Sequence, residues 1–241
     1  MSWVLANLPT IAGHLLAHLL QAVPAILAAF VLSIPIARLA RAARPLRAVL
    51  VTGSSLLYAV PSLALFVILP IILATGIRDP LNVIVALTLY GLALLVPATA
   101  DALDAVDARV LDAATAMGMG RLRCFLTVEL PLAGPAILTG LRVVTVSTIS
   151  LTTVGAVLGV RSLGWLFTDG FQRGITAEIV TGLVATAVLA LVLDGVVLAL
   201  GRLCLPWTWK RAGGGQVRQM AEASAAGGHE DAGLQGQEGE A

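Results

Sequence analysis

Charge is what this sequence most lacks: 12% of its 241 residues are Asp, Glu, Lys or Arg, about half the share of an ordinary soluble domain. Aromatic residues are also few, at 5%, and the net charge is +1. No basic stripe interleaved with aromatics can be drawn, which excludes nucleic acid as a partner. The three histidines, His14, His18 and His229, are scattered, and no Ser-His-Asp arrangement or metal-ligand spacing can be assembled, so neither a catalytic residue nor a metal site is expected. A phosphate-binding glycine loop is missing too, so any nucleotide chemistry belongs to another chain. Cys124 and Cys204 both fall in segments read as cytosolic and are expected to be free thiols. Residues 1 to 14 contain no Lys or Arg, which is wrong for the basic start of a signal peptide, and they are read as an uncleaved extracytoplasmic N-terminus.

Apolar residues fill the place of the missing charge. They make up 58% of the chain, with a mean hydropathy of +0.94, more apolar surface than a soluble fold of this length could bury. The chain is therefore read as an all-α, polytopic membrane protein with five spans. The first runs from about Leu15 to Ala37 and the third from Leu81 to Ala100. The fourth runs from Leu132 to about Val160 and the fifth from Thr176 to Leu203. The second apolar run, Ala48 to Gly76, would be about 43 Å long as one helix, too long for a hydrocarbon core of about 30 Å. A break is expected near Pro61, because proline removes a backbone donor and crowds the preceding turn. After the permease region 15–203, residues 204–212 are read as a cytosolic interfacial segment anchored by Trp207 and Trp209, and 213–241 as a disordered tail.

Between the third and fourth spans lies a polar island, about 101–131. In DAATAMGMGRLRCFLTVELP, from Asp112 to Pro131, the spacing predicts an amphipathic helix carrying Val110, Leu111, Ala114 and Met117. Gly118 and Gly120 stop it, a second apolar face follows at Leu122, Phe125 and Leu126, and Pro131 opens the next helix. Such a glycine-jointed hairpin has the shape of a ridge that a cytosolic partner could grip.

This island resembles the EAA motif of ABC-importer permeases: E-A-A, three residues, Gly, nine residues, I-x-L-P. The chain has Asp112-Ala113-Ala114, Gly118 at the matching offset, then Val128-Glu129-Leu130-Pro131, with Asp112 for Glu and Val128 for Ile. VPSLALF, from Val60 to Phe66, resembles the IPSLAL segment of the osmoprotectant branch. GVRSLGWLFTDGFQRGI resembles a glycine-rich segment of the same family, with Arg161 and Ser162 where glycines are usual, a departure that bears on the local backbone shape. The resemblance covers about residues 15–203. It implies a type I importer permease of five spans with a cytosolic coupling hairpin, working as half of a dimeric pore with a second copy or a related permease. It also implies a cytosolic ATPase, which holds the ATP and magnesium, and an extracytoplasmic substrate-binding protein. The implied cargo is glycine betaine, choline, carnitine or proline betaine. In that setting Asp112, Ala113, Ala114, Gly118, Leu122, Phe125, Leu130 and Pro131 would couple the permease to the ATPase. Ala113, Ala114 and Gly118 would give close approach to the partner, Leu122 and Phe125 packing, and Asp112 capping or polar contact.

Charge placement orients the chain. With the N-terminus outside, the inner side holds Arg38, Arg41, Arg44, Arg47, Arg109, Arg121, Arg123, Arg202, Lys210, Arg211 and Arg218, and the outer side only Arg78, Arg161 and Arg173. The arginines from 38 to 47 are read as a cytoplasmic flank in contact with lipid headgroups. Arg142 remains inside the fourth span and Asp194 inside the fifth, at similar depth from the cytosolic side. They are expected to pair across the two helices or to meet in an aqueous inner cavity, or else each to snorkel or be solvated separately. A hydroxyl stripe at Thr145, Thr148 and Thr152 has two readings, a wetted solute path or hydroxyls bonded back to their own helix. Pro61, Ser62 and Tyr90 complete the candidate pathway. A methionine-type or other amino-acid importer shares the hairpin and the span plan. An ion-driven secondary transporter, the reading from another class, would show internal repeats that are not evident here.

Overall fold

The computed structural model describes residues 2–41 and 44–207. The described residues fall into two units, the first ending at Ala199 and the second beginning at Leu200.

The first unit is built around a central helix, α5 (Pro80–Asp104). Asp79 starts it, its carboxylate accepting from the Leu81 N–H at 2.9 Å, with Pro80 in the first turn, where a missing N–H costs nothing. Along most of its length α5 is buried between α2 (Leu8–Ala40) and α8 (Leu130–Thr152). The three helices cross closely at Gly91, where an added Cβ would lie 2.6 Å from the Ala29 Cβ and 3.3 Å from the Val144 Cγ1.

The N-terminal residues differ from the expectation. A short α1 (Ser2–Ala6) precedes α2, which begins at Leu8 and not near Leu15, so most of residues 1–14 is helical. Pro9 supplies the start, being tolerated in a first turn.

The second apolar run breaks where proline predicts. Here α3 (Arg44–Tyr58) and α4 (Ser62–Leu73) meet at 108° across Ala59–Pro61. The pair still follows the whole of α5. Arg47 reaches Asp101 and Asp104 at one end, Tyr90 reaches Val60 at the break, and the Thr75 hydroxyl reaches Asn82 Oδ1 at 2.5 Å beyond the other end. The two short helices thus act as one broken span. With α2, α5, the helical run Arg121–Leu158 and α10 (Thr176–Cys204), the described residues hold five spans.

Pro131 requires a correction, because the helix it was expected to open already runs from Arg121. α7 (Arg121–Cys124) passes through a π turn, Phe125–Glu129, into α8, and the Leu130 N–H reaches back to the Phe125 carbonyl. The wide turn makes room for a proline ring that would crowd a regular one. α8 ends in a 3₁₀ turn, Thr153–Leu158, closed by Gly159 at φ +79°. A short α9 (Trp165–Arg173) then leads into α10. Of the most apolar stretch of α10, only 6% is buried, so one broad face of the helix is left to lipid or to another chain.

In the second unit, helical structure continues to Cys204, and the Leu205 N–H donates to the Gly201 carbonyl at 2.9 Å. Trp207 is exposed. The expectations for Trp209 and for the tail 213–241 lie outside the described residues.

Candidate functional site

The hairpin is a separate helix, α6 (Ala108–Ala116), capped at both ends. At its start the Asp107 carboxylate accepts from the Arg109 N–H at 2.9 Å and pairs with the Arg109 side chain, which holds that carboxyl below the usual range. At its end Gly118 takes φ +82°, its N–H reaches the Thr115 carbonyl, and the Met119 N–H reaches the Ala114 carbonyl at 3.2 Å. Those two bonds close a helix only when the residue after the cap is left-handed, which glycine adopts at little cost. Gly120 is extended and starts α7.

This closure fixes what the hairpin shows. Asp112, Ala113 and Gly118 are exposed, as are Val110, Met117, Leu122 and Leu126; Met117 is 72% and Leu122 64% accessible. Ala114, expected at a partner-facing surface, is instead buried against its own chain, because the inner face of α6 falls on Leu111 and Ala114. Phe125 is buried below the ridge, and Leu130 and Pro131 are half-buried at its root. The ridge therefore presents apolar side chains that nothing among the described residues covers.

An ion-pair network that sequence reasoning missed ties the hairpin's root to the other spans. Arg41, at the end of α2, pairs with Asp104 (Nε to Oδ1 2.8 Å) and with Glu129, inside the π turn. Arg47 pairs with Asp104 and, at 3.3 Å, with Asp101, while Arg38 lies 3.9 Å from the centre of the Phe125 ring. Arginines read only as a cytoplasmic flank thus hold three acids from α5 and the π turn. The available signal was the recurrence of acids at the ends of neighbouring segments. The side chain of Arg44 lies outside the described residues.

Deeper in the bundle, Arg142 and Asp194 join α8 to α10 through a two-pronged pair, Nε to Oδ1 at 2.8 Å and Nη2 to Oδ2 at 2.6 Å. A planar fork on a carboxylate is the strongest geometry such a pair can take. The hydroxyl stripe is different: Thr145, Thr148 and Thr152 are all buried within the chain. Thr145 donates to the Leu141 carbonyl at 2.8 Å and Thr152 to the Thr148 carbonyl at 2.7 Å. Their spacing marks the packing face of α8, shared with Val144 and Ile149, so the reading of this stripe as a wetted path does not hold in this arrangement. Pro61 is exposed at the helix break and Ser62 half-buried. Tyr90 is buried and donates its hydroxyl to the Val60 carbonyl at 2.5 Å, satisfying an acceptor that the break leaves without a helical donor.

At the opposite end of the bundle, the segment carrying Arg161 and Ser162 keeps its turn without the two usual glycines. Buried Ser162 accepts from the Gly164 N–H at 3.2 Å, and the Arg161 carbonyl accepts from Gln21 Nε2 at 2.7 Å. Gly159 and Gly164 carry the steric demands; a Cβ on Gly164 would collide with the Thr153 backbone. Among the described residues, no group of three His, Cys, Asp or Glu side chains converges to hold a metal.

The described residues thus form a multi-span helical bundle with a capped, exposed hairpin between two spans. The family model described as "Binding-protein-dependent transport system inner membrane component" matches residues 29–210, and the chain belongs to that family. It is 30% identical over 205 residues to the choline transport system permease protein OpuBD of Bacillus subtilis (strain 168), covering 85% of this chain and 89% of that one. It is 30% identical over 190 residues to the glycine betaine/carnitine/choline transport system permease protein OpuCD of the same organism, covering 78% and 82%. Among solved structures, a chain of the MetNI methionine ABC transporter in an inward-facing conformation matches with a TM-score of 0.70 over 85% of this chain and 97% of that one, at 18% identity, a likeness of fold. The five-span, all-α permease expected from the sequence is thus the fold observed.

Proposed function

We propose that this chain is the pore-forming subunit of an ATP-driven importer of osmoprotectants, carrying glycine betaine, choline, carnitine or proline betaine across the cytoplasmic membrane. Family membership and the two relatives, named for choline and for glycine betaine, carnitine and choline, support the cargo. The observation that carries the mechanism is the uncovered apolar ridge on α6 and α7, rooted through Arg41 and Glu129 in the spans. A cytosolic ATPase holding ATP and magnesium grips this ridge, and its closure moves the root and so the spans, giving alternating access. The permease does no chemistry of its own. It works as a dimer with a second copy or a related permease, receives solute from an extracytoplasmic binding protein, and lies with its N-terminus outside and the hairpin in the cytosol.

The test is uptake by the reconstituted importer. Labelled glycine betaine, choline, carnitine and proline betaine are offered with ATP inside the vesicle. ATP-dependent uptake of at least one, inhibited by unlabelled competitor, supports the reading. Uptake of none, or uptake that persists without the ATPase, defeats it.

A further inference from the structure

The end of the bundle away from the hairpin holds a cavity of about 400 Å³ lined by Arg78, Gly159, Trp165, Thr168, Asp169 and Gln172, among others. That volume lies in the range of small-molecule sites, about 300–1,000 Å³. Its walls come from three places: the turn between α4 and α5, the end of the 3₁₀ turn after α8, and α9.

Each wall is held in place. The turn bearing Arg78 is pinned by Asn82, buried, whose Nδ2 donates to the Gly76 carbonyl at 2.8 Å and whose Oδ1 accepts from the Thr75 hydroxyl at 2.5 Å. The Arg78 side chain then lies across Gly159, where a Cβ would come within 3.1 Å of Nε and where the backbone is left-handed at φ +79°. The indole of Trp165 is stacked on His14, ring centres 4.7 Å apart and 10° from parallel. Asp169 is four residues further along α9, on the same face, and shares its charge with Arg173 at 3.0 Å. Arg78 makes no ion pair among the described residues.

We propose that this cavity is a reception site on the permease itself for a small zwitterion bearing a carboxylate and an alkylated ammonium. The carboxylate takes the Arg78 guanidinium, which among the described residues has no ion-pair partner, and guanidinium suits it by geometry. The ammonium takes the electron-rich indole of Trp165 with the Asp169 carboxylate beside it. The inference rests on the importer reading for its solutes, and it assigns a division of labour: Arg78 distinguishes carboxylated solutes from choline, whereas Trp165 serves both.

The test is equilibrium binding of labelled glycine betaine and of labelled choline to the permease–ATPase complex in nanodiscs, with no binding protein present. The wild-type complex is expected to bind both. Arg78→Gln is expected to weaken glycine betaine about tenfold or more while leaving choline nearly unchanged, the loss of a charge-assisted bond to one ligand only. Trp165→Leu is expected to weaken both. Should Arg78→Gln fail to assemble, Gly159→Ala displaces the same guanidinium without removing its charge and is expected to act in the same direction. No binding to the wild-type complex overturns the proposal, as does equal weakening of both solutes by Arg78→Gln. An Arg78 variant that only loses binding-protein docking also overturns it. ATP-driven uptake by the complete wild-type importer, measured alongside, separates the two claims: uptake without direct binding sinks the site and leaves the importer reading standing.

Discussion

Substituting Gly91 by alanine tests how tightly the bundle is built. The new Cβ would sit 2.6 Å from the Ala29 Cβ, and neither atom can rotate away, since both are fixed to helix backbones. Carbon atoms settle at about 3.5–4.0 Å, so α2 and α5 must part by about 1 Å along their crossing. Overpacking of this kind costs about 1–3 kcal/mol, and the overlap belongs in the upper part of that range. Alanine returns about 1 kcal/mol through its better helix propensity. The net loss is about 1–2 kcal/mol, or about 2–8 °C in Tm for a chain of this size. The assay is thermal unfolding of the purified permease followed by size-exclusion chromatography. A second variant makes the reasoning specific. Ala29→Gly removes the atom that is struck, and in the double variant the two propensity terms cancel, leaving a 3.3 Å contact to a Val144 methyl that a small rotamer shift relieves. The double variant should therefore melt close to wild type and above Gly91→Ala alone. A Gly91→Ala protein as stable as wild type, or a double variant less stable than either single, would refute the close crossing.

Three further perturbations probe the hairpin, the ion pair and the helix break. Gly118→Ala forces a β-carbon into a left-handed residue, a strain of about 1 kcal/mol at an exposed position; co-purification of the ATPase should fall while the permease itself stays monodisperse, and Gly118→Asp should abolish the complex. Reversing one charge of the Arg142–Asp194 pair should reduce folded protein and uptake, and reversing both should restore much of each; a double reversal as poor as the worse single shows that the fork is not what joins α8 to α10. Tyr90→Phe leaves the Val60 carbonyl, at the exposed helix break, without its side-chain donor, a net loss of about 0.5–1.5 kcal/mol. Its Tm should fall accordingly, and an unchanged Tm would show that another donor serves the break.

The sequence revealed the spans because an apolar run has one dominant solution in lipid, a helix, and it revealed the hairpin because a left-handed closure calls for glycine at a set place. Pro61 announced the break for the same local reason. What it concealed depends on which face of a helix turns inward. Thr145, Thr148 and Thr152 form one stripe by spacing, but only the packing of α2 and α5 on α8 decides whether that stripe is wet or buried. Ala114 went the same way: periodicity grouped it with Val110 and Met117, and the fold turned it inward while they stayed out. The arginine network was hidden because Arg41 and Glu129 are 88 residues apart, and no local pattern links them.

Rigid and yielding parts are divided along the bundle in a way that suits force transmission. α5 is clamped between α2 and α8 with almost no space at Gly91, so this part of it has little freedom to shift against its neighbours, while Pro97, toward its other end, removes one helical hydrogen bond. At its end Arg41 bridges Asp104 to Glu129 at the hairpin's root and Arg47 ties Asp101 and Asp104 to α3, while its start at Asn82 is tied to the turn that carries Arg78. Packed helix and ion pairs, interrupted by one proline, therefore join the hairpin's root to the turn at the far cavity. A looser element lies beside α5, where α3 and α4 are joined by three residues and a tyrosine hydroxyl. That joint is where a change in the angle between hairpin and spans can be absorbed with few hydrogen bonds at stake, whereas bending α5 near Gly91 would disturb a close crossing of helices.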